Sequence, residues 1–188
     1  YVYTDYPEVE LFVNVVSQGR RRKLTRAEYE SSTDSLALQR RYRLIWDEVE
    51  YQPGEVKAVA YDKSGKEVAE KVIRTAGKPH HLVLTANRTS MKANGEDLIY
   101  ITVQVADKNG NLVPTDTREV NFKVSGAGKF RAAANGDPTC TNLFHEPNMP
   151  LFSGALTAIV QSAIKPGKLV FEAHAKGVKP TKITLNVD

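Results

Sequence analysis

The 188-residue chain predicts an all-β fold of two tandem antiparallel β-sandwiches. Three observations carry that expectation. Apolar residues recur at every second position in most segments, so one side of each strand is buried and the other is wet. Gly, Pro and Asn punctuate these runs at intervals of 8–12 residues, the spacing of short sandwich strands. One polar joint flanked by Gly and Pro, Thr75-Ala76-Gly77-Lys78-Pro79, divides the chain into residues 1–77 and 78–188.

In the first part, Val9, Leu11 and Val13 alternate as the opening strand, and Ser17-Gln18-Gly19 follows as a turn. The run Arg20-Arg21-Arg22-Lys23 reads as an edge, where positive charge blocks pairing with another chain. Residues 25–39 break the pattern. Thr25-Arg26-Ala27-Glu28 has capping-box spacing, but Ser31-Ser32-Thr33-Asp34-Ser35 is a poor helix, which predicts a long loop with at most one helical turn. Leu44 and Trp46 then share a strand face, as do Val56, Ala58 and Ala60. Asp62-Lys63-Ser64-Gly65-Lys66 is a hairpin turn leading to a strand from Val68 to Arg74.

A new strand runs from His80 to Ala86 in the second part. Alternation is strongest at Ile99, Ile101, Val103 and Val105, at Leu169, Phe171, Ala173 and Ala175, and at Ile183, Leu185 and Val187. Asp107-Lys108-Asn109-Gly110-Asn111 joins two strands, Asn-Gly being favoured because both residues tolerate positive φ. Residues 136–153 form the second long irregular segment. At about 100 residues an immunoglobulin-like sandwich fits the second part in full. The first part is short by a strand, as expected if the chain is cut from a longer protein within that domain.

Composition narrows the function. The net charge of +4 arises wholly in residues 78–188, with 13 basic and 9 acidic side chains, whereas residues 1–77 carry 13 of each. No basic stripe of the kind that tracks nucleic acid is present, and no apolar run approaches the roughly 20 residues that span a bilayer. Single Cys140 leaves no internal disulfide to form.

The order of several motifs resembles a known family. Tyr3-Thr4, Glu8-Val9-Glu10-Leu11-Phe12-Val13-Asn14, Arg43-Leu44-Ile45-Trp46, Tyr51-Gln52-Pro53-Gly54 and Ala58-Val59-Ala60-Tyr61-Asp62 resemble the module that follows the catalytic barrel in β-galactosidase-type glycoside hydrolase family 2 enzymes. The segments from Thr102 to Pro114, Asn135-Gly136-Asp137-Pro138-Thr139 and Phe152-Ser153-Gly154 are similar to the invasin-like domain that follows it. The resemblance implies a retaining β-galactosidase parent whose two catalytic Glu residues lie upstream, so no catalytic, cofactor-binding or metal-binding residue is assigned here and no cofactor is expected. It implies the parent's catalytic domain as partner, polysaccharide and a second copy as further candidates, neither nucleic acid nor membrane insertion, and a periplasmic or extracellular location. The pattern departs at Asn14-Val15, where Asn-Gly is expected; β-branched Val disfavours positive φ, which predicts a different turn type. Rival readings are an adhesin or spacer built from repeated modules, against which the two dissimilar halves argue, and a carbohydrate-binding module.

Four constellations are candidates for chemistry. Asp107, Asn109 and Asn111 have calcium-loop alternation without the distal bidentate Glu, which favours a plain hairpin turn. His80 and His81 are expected on opposite strand faces, far in sequence from His145 and His174, and so make a poor zinc set. Cys140 and His145 have a chance-level spacing for a thiol nucleophile. Trp46, with Tyr42, Tyr51 and Tyr61, could form either core or a sugar-stacking platform, core being the favoured place for Trp46.

Overall fold

A computed structural model describes all 188 residues, which separate into a unit of Tyr1–Thr75 and a unit of Ala76–Asp188. The first unit contains β1 (Glu8–Val13), β2 (Val16–Arg22), α1 (Arg26–Glu30), α2 (Ala37–Tyr42), β3 (Glu55–Tyr61) and β4 (Glu67–Arg74). Its strands form one antiparallel sheet in the order β2-β1-β3-β4. Val9 and Leu11 on β1 stand beside Ala60 and Ala58 on β3, and this face packs against Leu44, Val2 and Trp46. The strand expected through Leu44 and Trp46 is reduced to a single bridge between Val2 and Leu44. That bridge, rather than a second full sheet, faces β1 and β3.

Residues 25–39 depart from the expected loop. α1 forms because Thr25 and Glu28 complete the capping box: the Thr25 hydroxyl accepts from Glu28 N–H, and Glu28 accepts from Thr25 N–H at 2.8 Å. The serine run then breaks the helix, as its hydrogen-bonding side chains favour. A second helix, α2, starts after it. Asp34 replaces the missing side-chain cap by accepting from Leu36 N–H at 2.8 Å and pairing with Arg40 at 2.8 Å.

The β1–β2 turn overturns the sequence expectation. Asn14 and Val15 have φ of 46° and 66°, the two positive values of a type I′ hairpin, so the turn type is kept despite the valine. Asn14 locks it. Its Oδ1 accepts from Glu55 N–H at 2.8 Å and its Nδ2 donates to the Pro53 carbonyl at 3.1 Å. Val15 is 87% exposed, so its side chain offsets none of the backbone strain by packing.

The second unit holds β5 (His81–Ala86), β6 (Ser90–Met91), β7 (Leu98–Ala106), β8 (Glu119–Gly126), β9 (Gly128–Ala134), β10 (Asn148–Pro150), β11 (Ala155–Ser162), β12 (Gly167–Ala175) and β13 (Thr181–Val187). They form a five-stranded sheet, β10-β8-β12-β13-β6, and a four-stranded sheet, β5-β7-β11-β9. All neighbours are antiparallel except β6 and β13, which run parallel at Ser90–Asn186 and Met91–Val187. Ile99, Ile101, Val103 and Val105 are fully buried on β7, facing Leu169, Phe171 and Ala173 of the other sheet in one core. Phe122 stacks on Phe130 and on Phe171, each at 5.6 Å, linking the two sheets through an aromatic column.

The chain changes sheets at Gly126-Ala127-Gly128, between β8 and β9. Gly126 has φ 85°, and a Cβ there would lie 2.1 Å from the Lys168 carbonyl oxygen. Only glycine fits this crossing. The segment 136–153 is also more structured than expected. Asn135 Nδ2 donates to the Pro150 carbonyl, and Met149 and Leu151 drop into the core.

Candidate functional site

The sequence-selected residues occupy separate places. Asp107 closes the β7 turn: Oδ1 accepts from Asn109 and Asn111 N–H at 2.8 and 2.9 Å, and Oδ2 from Gly77 N–H and Asn111 Nδ2 at 2.8 and 3.0 Å. Four donors saturate the carboxylate and hold its carboxyl well below the usual range, Gly77 N–H being the largest influence. Asp62 does the same on a smaller scale, taking Ser64 N–H, Ser64 hydroxyl and Lys66 N–H around Gly65. Both Asp-x-x-Gly motifs are therefore turn devices.

His80 and His81 do not point apart. His80 precedes β5 rather than belonging to it, so strand alternation does not apply, and the two Nδ1 atoms lie 3.1 Å apart. Burial, Lys179 and His81 together push the His80 imidazole below its ordinary pKa. His145 pairs weakly with Glu146 and His174 with Glu172. No three His, Cys, Asp or Glu side chains converge in a metal-holding group. Cys140 leans on the core, with Sγ 3.8 Å from Met149 Sδ, while His145 is exposed on its own turn.

The four aromatics do not make one platform. Trp46 is half-buried against Val9, Leu44 and Ala60, with Nε1 donating to the Gly19 carbonyl at 3.2 Å. Tyr61 lies on the opposite sheet face, 7% exposed beneath the Arg20 guanidinium, which sits 3.6 Å from its ring centroid. Arg20 also pairs with Glu8 at 2.8 Å, and Glu10 accepts from Tyr61 and Ser17 hydroxyls. Tyr42 and Tyr51 are exposed apart from these.

The basic run has two roles. β2 is an edge strand, so Arg20, Arg21 and Arg22 line a free sheet edge. Arg21 and Arg22 also wall a cleft of about 330 Å³ with Gln39 and Arg40 of α2, then Arg43, Asp47 and Tyr1, over Leu24, Leu36 and Leu44. Spacing could not reveal this cleft, because α2 carries residues 39 and 40 back to a strand some twenty positions earlier. Within it the charges are unequally satisfied. Arg22 forks onto Glu28 at 2.7 and 2.9 Å, Arg40 meets Asp34, and Arg21 donates to the Ile45 carbonyl. Arg43 has only neutral partners: Tyr3 hydroxyl at 3.3 Å, Gln39 Oε1 at 2.5 Å and the Tyr1 ring at 4.5 Å.

The sequence profile described as "Glycoside hydrolase family 2 C-terminal domain 5" matches residues 82–184, more than half of the chain. The chain belongs to this family. A second profile, "Domain of unknown function (DUF4982)", matches residues 1–69. Among relatives of this family 2 chain is β-galactosidase BoGH2A of Bacteroides ovatus, 37% identical over 186 residues, which are 99% of the chain and 20% of that enzyme. A β-glucuronidase of Formosa agariphila is 30% identical over 77% of the chain and 15% of its own length. A solved β-glycosidase from Bacteroides vulgatus superposes with a TM-score of 0.84 at 30% identity, covering 97% of the chain and 21% of that protein. The family 2 chain thus spans 15–21% of the length of these relatives and corresponds to their non-catalytic C-terminal region.

Proposed function

We propose that this chain supports a parent enzyme that hydrolyses β-galactosides with retention of configuration. The observation that carries the reading is 37% identity, maintained over nearly the whole chain, to a β-galactosidase five times as long. In a retaining glycosidase two carboxyl groups about 5–5.5 Å apart act as nucleophile and acid/base. Those groups belong to the catalytic domain of the parent. The role of residues 1–188 is architectural: packing against that domain, contributing to subunit contacts, or presenting the enzyme to polysaccharide. A single-sheet unit at 1–77 leading into an immunoglobulin-like sandwich at 78–188, and export to the bacterial periplasm or beyond, are parts of the same proposal.

The test is expression of the whole gene, with assay on chromogenic β-galactosides and β-glucuronides side by side. Galactoside turnover that loses thermal stability or assembly on deletion of 1–188 is expected. Glucuronide turnover alone would replace the substrate assignment, a reading that the Formosa β-glucuronidase relative supports. No glycosidase activity would reject the parentage. Cell fractionation tests the location.

A further inference from the structure

We infer that the outward face of the sheet β5-β7-β11-β9 is the surface by which the second unit docks on the catalytic domain of its own parent chain. Three adjoining rows of this face carry no charge. Val83, Gln104 and Ala155 stand opposite one another in the first. Thr85, Thr102, Thr157 and Ala134 cross all four strands in the second. Tyr100, Ile159 and Ala132 make the third. Leu98 and Gln161 extend the face beyond it, and Lys129 and the bulged Arg131 mark its margin on β9. Every side chain in these rows is exposed or half-buried, Tyr100 being 46% exposed. In a chain with 26% charged residues, the outward face of the five-stranded sheet shows what contact with water alone selects. There Lys123, Glu172 and Lys182 share one row, with Lys168 and His174 on the same side of β12.

Interfaces are set apart from ordinary surface by the loss of charge at their centre and by aromatic anchors, rather than by overall apolarity. Threonine suits such a place: its β-branched stem favours a strand, its methyl packs, and its hydroxyl donates or accepts across the contact. The size of the face decides the occupant. Four strands about 4.8 Å apart, with residues rising about 3.4 Å each over Leu98–Gln104, give roughly 19 by 24 Å, or about 900 Å² when both partners are counted. That falls short of the roughly 1,200 Å² at which separate chains associate stably, and within the roughly 600–1,500 Å² between domains of one chain. A tethered partner needs no more, because the link raises its effective concentration to about the millimolar range. The chain matches 20% of β-galactosidase BoGH2A, so a parent of that kind supplies a tethered partner. The choice of the catalytic domain as that partner rests on the proposed glycosidase parentage; the assignment of this face as an interface does not.

The test is thiol labelling of the whole parent enzyme with a charged maleimide, read site by site by mass spectrometry. Thr102→Cys places the probe at the centre of the face, and Thr184→Cys, exposed on the outer side of the other sheet, is the reference. The expected result is labelling of Thr102→Cys at least tenfold slower than of Thr184→Cys, whatever the protein concentration, with the difference abolished in denaturant. Adding Thr157→Arg, a cation in the same row, should bring the two rates within twofold, circular dichroism verifying the fold. A photo-reactive phenylalanine analogue in place of Tyr100 should cross-link to the catalytic domain of the same molecule. Equal labelling of the two variants overturns the inference, as does a cross-link to any other region. Protection that disappears on dilution gives the face to a second copy, and protection that requires added polysaccharide gives it to a glycan; either result overturns docking within one chain. Protection intact in a parent without glycosidase activity rejects the parentage, and with it the catalytic nature of the partner, while the docking face stands.

Discussion

Replacing Val15 with glycine should stabilise the first unit, although it removes a side chain. An L-residue in the left-handed region costs about 1–2 kcal/mol, and a β-branched one lies at the upper end. At φ 66° and 87% exposed, Val15 bears that strain with almost no burial to offset it. Glycine relieves the strain but gains freedom in the unfolded chain, which costs back about 0.5–1 kcal/mol. The net is a stabilisation of ~1 kcal/mol, equivalent to roughly 4–8 °C for a domain of this size. Unit one is the place to see it, because its buried cluster has three members (Val9, Leu44 and Ala60) against twenty in unit two. Scanning calorimetry of the chain should show the lower-melting transition moving up and the higher one unmoved. Val15→Ala should fall between wild type and Val15→Gly. A lower transition that stays put or drops would show that Val15 makes a stabilising contact outweighing its strain, and the reasoning would fail.

Gly126→Ala should cost more than about 3 kcal/mol, since its Cβ would meet the Lys168 carbonyl at 2.1 Å on a positive-φ backbone; urea denaturation of the second unit reads it directly. Asp116→Ala should cost about 2 kcal/mol by leaving the half-buried Arg118 unpaired at its guanidinium contacts of 2.6–2.9 Å, with Asp116→Asn milder on the same assay. Burial would raise the Asp116 carboxyl, but Arg118 outweighs it and holds it low. Asp107 gives an acid dependence. Its folded-state pKa is depressed, so its contribution is complete above the unfolded value near 4 and is lost as pH falls toward the folded one. Melting temperature should therefore decline below about pH 4, and Asp107→Asn should flatten that slope while lowering stability at neutral pH.

How much of this was legible in the sequence depended on where burial is one-sided. Ile99, Ile101, Val103 and Val105 alternate cleanly, and all four are fully buried, because β7 sits inside a sheet with one face on a full core. Leu169, Phe171 and Ala173 follow the same rule. The first unit was harder to read. Its β3 buries Val59, Ala60 and Tyr61 in succession, Tyr61 under the aliphatic and guanidinium cover of Arg20, so period two fails there. α2 carries no side-chain cap, and its stabilising partner Asp34 lies outside it. At Asn14 and Val15 tertiary bonds from Asn14 to residues 53 and 55 override local propensity, so the turn type cannot be read from the dipeptide alone. The cleft was invisible for a simpler reason: its arginines come from a strand, a helix and a loop that only the fold brings together.

The parallel pairing of β6 with β13 has a consequence for biosynthesis. Ser90 and Met91 wait for Asn186 and Val187, nearly a hundred residues later, and β13 lies between β12 and β6 rather than at a sheet edge. A nascent chain stopped before Thr181 would expose the β12 flank, an unpaired ladder that invites association with neighbouring chains. The first unit, closed by the short hairpins β1–β2 and β3–β4 and the β1–β3 pairing within its first 75 residues, has no such debt to later sequence. Ribosomal pausing before Thr181 should therefore endanger the second unit and spare the first.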